Sequence, residues 1–232
     1  SNVTNMSKMF NYAKSFNQDI GSWDVSNVTD MTTVFYKLKS FNQNISYWDV
    51  SNVTNMQWMF AGALDFNKPL NDWDVSNVTN MSYMFQDPFL APQYSLQTSF
   101  NQPLDNWDVS NVTEMTQMFM SKSFNQNINN WDVRNVTEMT QMFSWSNFNQ
   151  PLDNWDVSNV TNMGGMFANS TFNQDISNWN VSNVIDMQIM FGNSQEFNQD
   201  LSSWGVGNVE LCSFFCDNTP SWTLPKPNFT NC

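Results

Sequence analysis

A tryptophan followed by Asp-Val-Ser-Asn-Val-Thr, or a close variant, returns along the chain at Trp23, Trp48, Trp73, Trp107, Trp131, Trp155, Trp179 and Trp204. The spacings are 25, 25, 34, 24, 24, 24 and 25 residues. A unit this short cannot bury an apolar face alone, so the period predicts a solenoid whose coils stabilise one another. The long spacing marks an insertion over about residues 87–99, with Pro88, Pro92, Tyr94 and Leu96, expected as a loop thrown off one coil. Residues 1–211 form the array, and residues 212–232 read as an irregular C-terminal cap containing the cysteines.

Positions that stay apolar in every unit mark the core. They are the phenylalanine of Phe-Asn-Gln (Phe16 to Phe197), the Ile/Leu four residues later (Ile20 to Leu201), the Trp-x-Val pair, and the Val-x-x-Met-x-x-Met-Phe run. Trp-Asp-Val alternates in and out as a strand does. Val78, Met81, Met84 and Phe85 fall on one face of a short helix. Thr79 precedes that run, and Asp30, Glu114, Glu138 and Asp186 stand where a helix N-terminus favours acids. The expectation is an α/β repeat of about eight coils of 24–25 residues, each a short strand plus a short helix, with a stacked parallel sheet on one face.

The unit Ile20-x-x-Trp23-x-Val25, with Asn27 and Val28 following, resembles the strand segment of leucine-rich repeats with its asparagine displaced by one. The whole unit resembles the BspA-like leucine-rich repeat family of bacterial surface proteins, of the mycoplasma surface lipoprotein kind. That resemblance covers residues 1–211 and lapses from Cys212. It implies a right-handed leucine-rich-repeat-like solenoid, secreted or on the cell surface, engaged in adhesion and without enzymatic activity.

Eight Lys+Arg against 21 Asp+Glu give a net charge of −13 with no histidine, which argues against nucleic-acid partners and anionic lipid. With 41% hydrophobic residues the chain has the material for a core, yet no apolar stretch long enough to span a bilayer. Without histidine there is no Ser-His-Asp or Cys-His arrangement. No glycine-rich phosphate loop or Cys-x-x-Cys pattern occurs either, so no catalytic residue and no metal ligand is assigned.

Two outward columns flank the tryptophans. Asp24, Asp49, Asp74, Asp108, Asp132 and Asp156 form one, with Asn106, Asn130, Asn154 and Asn178 in the other, and together they are read as a ligand-binding face. Stacked carboxylates repel and must be solvated, hydrogen-bonded or neutralised. Each aspartate could instead serve its own turn, and calcium is the one cofactor reading of the column.

Thirteen Asn-x-Ser/Thr sequons occur, Asn180 of the aspartate column among them. Seven belong to the repeated Asn-Val-Thr, where leucine-rich repeats bury a ladder asparagine, so Asn5, Asn44, Asn80, Asn169 and Asn228 are the expected glycosylation sites. The methionine columns read as core, and the threonine column reads as capping rather than an ice-binding array. Cys212, Cys216 and Cys232 cannot all pair within the chain; a disulfide from Cys232 to Cys212 or Cys216 would fasten the tail in an oxidising compartment, and buried thiols are the alternative.

The expected function is a non-enzymatic extracellular or cell-surface adhesion solenoid that binds a protein or glycan through its polar, acidic face. The alternative is a structural subunit assembling head-to-tail into a filament, with calcium-binding and ice-binding solenoids as minor readings. Neither nucleic acid nor direct membrane insertion is expected.

Overall fold

The computed structural model describes residues 2–88 and 96–230. Successive units do stack as coils of a solenoid, but the expected strand and helix are absent. No helix forms among the described residues, and the only β pairing is a row of isolated parallel bridges, Asn5 to Asp30 to Asn55 and onward to Leu211. One bridged residue per coil is not a sheet.

The local hydrogen bonds explain the correction. Trp48 N–H donates to Ile45 C=O and Val53 N–H to Val50 C=O, so a turn closes on each side of Trp-Asp-Val and leaves too little extended chain for a ladder. The Met-x-x-Met-Phe run is a chain of turns. Met59 N–H returns to Met56 C=O and Ala61 N–H to Trp58 C=O, each three residues back, while the N–H groups that alternate with them, at Trp58 and Phe60, donate to Ser82 and Met84 of the next coil. A helix would use all these donors internally. Turns repeating at this interval bury the same Val, Met, Met and Phe that a helical face would, so the expected core positions hold although the element does not.

These turns hold residues at positive φ, among them Thr33 (56°), Trp58 (59°), Tyr83 (63°) and Ile189 (55°). Left-handed backbone is strained for any residue with a Cβ, most of all for β-branched Thr33 and Ile189. The ladder compensates: Thr33 N–H reaches Gln57 C=O and Ile189 N–H reaches Ser213 C=O, both at 3.0 Å. Gly165 takes the same place in its coil at φ 63°, where a Cβ would stand 2.9 Å from Gln141 Cγ.

The interior is two continuous phenyl stacks. Phe41, Phe66, Phe100, Phe124 and their counterparts repeat at 5.8–6.4 Å. Phe35, Phe60, Phe85, Phe119 and theirs repeat at 5.2–6.0 Å. Within a coil the two stacks meet at 3.9–4.4 Å. Each repeat tryptophan from Trp48 to Trp204 donates its indole N–H to the Ile/Leu carbonyl of the preceding coil, as Trp131 does to Leu104 at 2.9 Å and Trp107 to Leu70 at 2.8 Å. The last coil is covered by the tail, where Trp222 packs edge-on against Phe197 at 4.7 Å and donates to Gln199 C=O.

The inserted segment begins at Asp87. Its Oδ1 accepts the Thr98 N–H and O–H, both at 2.7 Å, and Oδ2 accepts Lys122 N–H at 3.1 Å, so the base of the insertion is closed and the stack continues from Phe66 to Phe100. Pro92 and Tyr94 lie outside the described residues.

Far-UV circular dichroism of the folded chain is expected to lack the helical double minimum; a strong one would contradict the turn-built coil. Trp131→Phe removes a buried donor and leaves a hole beside Leu104 C=O. It should lower stability by about 2–4 kcal/mol, measured by urea denaturation.

Candidate functional site

The Asp-Val-Ser-Asn segment builds its own turn. Asp74 Oδ1 accepts the N–H of Ser76 at 3.1 Å and its hydroxyl at 2.6 Å, and Asp49 and Ser51 repeat this. Asp108 and Asp156 accept the N–H of Ser110 and Ser158. Serine hydrogen bonds hold the Asp74 and Asp156 carboxyls below the usual aspartate range. At Asp132 the serine is replaced by Arg134, whose Nε and Nη2 grip the carboxylate at 2.8 and 2.6 Å as an ion pair. The Asp24, Asp49, Asp74, Asp108 and Asp156 residues are exposed and Asp132 is half-buried.

The neighbouring asparagines lie on the same side, across the buried tryptophans. Asn106, Asn130, Asn154 and Asn178 are all exposed. Asn130 Nδ2 donates to Asp105 C=O and Asn178 Nδ2 to Asp153 C=O in the preceding coil. Asn106 and Asn154 donate their backbone N–H to Asn71 and Asn129 side chains. For Asp49, Asp74, Asp108 and Asp156 the turn uses Oδ1 alone, and no bond to Oδ2 is formed among the described residues. At Asp49, Asp74, Asp108 and Asp156 the face therefore presents carboxylates held by their own turns with Oδ2 still open to a donor, whereas Arg134 occupies both oxygens of Asp132.

The repeated Asn-Val-Thr column forms a ladder, since Asn52 Nδ2 donates to Ser26 C=O at 2.8 Å and Asn77 to Ser51 at 2.7 Å. It is exposed, not buried as the sequence suggests. The threonines of that motif cap nothing helical; Thr54 Oγ1 donates to Thr29 C=O of the coil before. Of the off-column sequons, Asn5, Asn44 and Asn228 are exposed, whereas Asn80 and Asn169 are half-buried.

A second asparagine ladder escaped the sequence reading. In Phe-Asn-Gln the asparagine Oδ1 accepts the N–H of its counterpart one coil on, as Asn67 N–H to Asn42 and Asn101 N–H to Asn67, at 3.1 and 3.0 Å. Its near-invariance along the repeat was the available signal.

Asp30 and its equivalents sit at the bridges instead of at helix ends. Asp30 Oδ1 accepts Thr32 N–H and Asp186 Oδ1 accepts Gln188 N–H. Burial first, then the charges of Glu114 and Asp186, raise the Glu138 carboxyl above the ordinary glutamate value. Among the described residues no disulfide joins two cysteines: Cys216 is a free thiol, Cys212 is disulfide-bonded and Cys232 lies outside those residues.

The geometry defines a class, a turn-built repeat solenoid with an open polar face. The chain belongs to the family described as Mycoplasma protein of unknown function, DUF285, which matches residues 1–97, 90–167 and 123–226. No curated protein and no solved structure matches it.

A raised folded-state value means that ionised Glu138 costs stability, and that this cost fades as pH falls through the raised value toward the unfolded one. Glu138→Gln should therefore melt higher than the parent at neutral pH. The gap should close below about pH 4, where glutamate is protonated in both states; calorimetry across pH checks both.

Proposed function

We propose that this chain is a non-enzymatic adhesion module, secreted or displayed at a cell surface, that binds a protein or glycan through its acidic strip. One observation carries the reading: Asp49, Asp74, Asp108 and Asp156 are exposed, immobilised by their own turns, and leave Oδ2 open. Preorganised acceptors lose little freedom on binding, and a row of them suits a ligand with regularly spaced donors. A sequence relationship to the BspA-like surface proteins is part of this proposal and supports the same role; the strand and helix of leucine-rich repeats are not.

The test uses the purified chain on an array of extracellular proteins and glycans. Asp49→Asn, Asp74→Asn and Asp108→Asn combined should weaken the captured interaction at least tenfold with little change in melting temperature. An array without signal, or a triple variant that binds as well as the parent, would sink the reading.

A further inference from the structure

A hollow of about 290 Å³ opens on the turn side of the second to fourth coils, away from the aspartate strip. It exists because Gly62 has no side chain. Equivalent positions in the adjoining coils hold Lys37 and Asp87, and a Cβ on Gly62 would lie 3.1 Å from Lys37 Cγ and 3.7 Å from Pro88 Cγ. The φ of 69° at Gly62 suits glycine and keeps the space clear.

The wall is aromatic and rigid. Trp58 and Tyr83 stack at 3.9 Å with ring planes 6° apart, and Tyr36 meets Trp58 at 5.7 Å and 90°. Over the tyrosines sits an ammonium: Lys37 Nζ is 4.9 Å from the Tyr36 ring centre and 5.2 Å from that of Tyr12. No carboxylate pairs with Lys37 among the described residues. Asp87 also borders the hollow, but its two oxygens are taken by Thr98 and Lys122.

Gln86 supplies a second, independent pointer. It is only 4% exposed, its Nε2 donates to Gln117 Oε1, and its own Oε1 accepts no hydrogen bond among the described residues. That oxygen is not sealed from solvent, the buried unpartnered side-chain atom among the described residues being Asn11 Oδ1, so a ligand hydroxyl entering the hollow would take the place of water at it.

Three chemistries thus converge: an apolar ring wall, an acceptor for a hydroxyl, and a cation without a counter-ion. Charge agrees, because four of the eight basic residues, Lys8, Lys14, Lys37 and Lys39, fall within the first two units of a chain of net charge −13. Lys37 is the cation among the lining residues and offsets the Asp87 carboxylate there, which favours this hollow for an anion over the acidic remainder of the surface. The volume is at the small end of ligand sites, which limits the occupant to about one ring.

We infer that the hollow over Gly62 binds a single acidic sugar residue, a pyranose carboxylate, with its C–H surface on the Trp58 and Tyr36 wall, a hydroxyl donating to Gln86 Oε1 and its carboxylate on Lys37 Nζ. This rests on the adhesion reading in its glycan form and gives that reading a second contact surface.

Saturation-transfer NMR on the intact chain with methyl glucuronide and methyl glucoside, which differ only in the carboxylate, tests it. The glucuronide should bind at least tenfold more tightly, and Lys37→Gln should abolish the difference while Lys68→Gln leaves it. Equal binding of the two sugars, no binding of either at tens of millimolar, or full glucuronide binding by Lys37→Gln would overturn it. So would a Glu-rich peptide that displaces the glucuronide and binds more tightly than it in a Lys37-dependent way, making the site a peptide site. Array signal retained in Lys37→Gln but lost in the triple aspartate variant would sink this inference while sparing the adhesion reading.

Discussion

In every coil from Trp48 to Trp204 the buried indole N–H has the same acceptor, the Ile/Leu carbonyl of the coil before. The bond recurs from Trp48 to Trp204 at 2.8–3.1 Å inside the core, where a missed partner is expensive. It fixes the register of each coil on the last, and everything else follows that register. The phenyl stacks, the two asparagine ladders and the threonine ladder all need equivalent residues at the same azimuth. A coil out of step by one residue would break them together. Stability therefore belongs to neighbouring pairs of coils and not to any single unit.

This constraint also explains how the array tolerates variation. The insertion after Gln86 does not disturb the core because Asp87 closes it on Thr98 and Lys122 before the next phenylalanine is needed. Substitution accumulates outside the ladders, in the turn positions at Trp58, Tyr83, Gln117, Gln141, Gly165 and Ile189. The hollow over Gly62 arises there, where one coil lacks a side chain between two that have one. The aspartate strip is the opposite case, a repeated feature whose turns keep every copy in the same pose.

The repeat, its inward columns and its outward aspartates were legible in the sequence, since burial follows directly from positions that never turn polar. The secondary structure was not. Val78, Met81, Met84 and Phe85 have helical spacing, yet linked turns show the same side chains inward, and hydrophobic periodicity alone does not separate the two. What separates them is where alternate N–H groups go, and those of Trp58 and Phe60 go to a neighbouring coil. The asparagine of Asn-Val-Thr was correctly read as a ladder, but a ladder between coils need not be buried, because its partners are carbonyls at an exposed corner. The aromatic hollow was invisible because Tyr36, Trp58 and Gln86 come from three different units.

The sequence by itself determined the length of each coil, the identity of the core residues and the acidic character of one face, because those depend on composition at fixed intervals. Only the tertiary structure decided that the coils are chains of turns, that strained φ values at Thr33 and Ile189 are sustained, and that Lys37, Trp58 and Gln86 share one hollow. The physical reason is the same for all three: each depends on a hydrogen bond or contact between residues about one repeat or more apart, and no interaction within a unit specifies it.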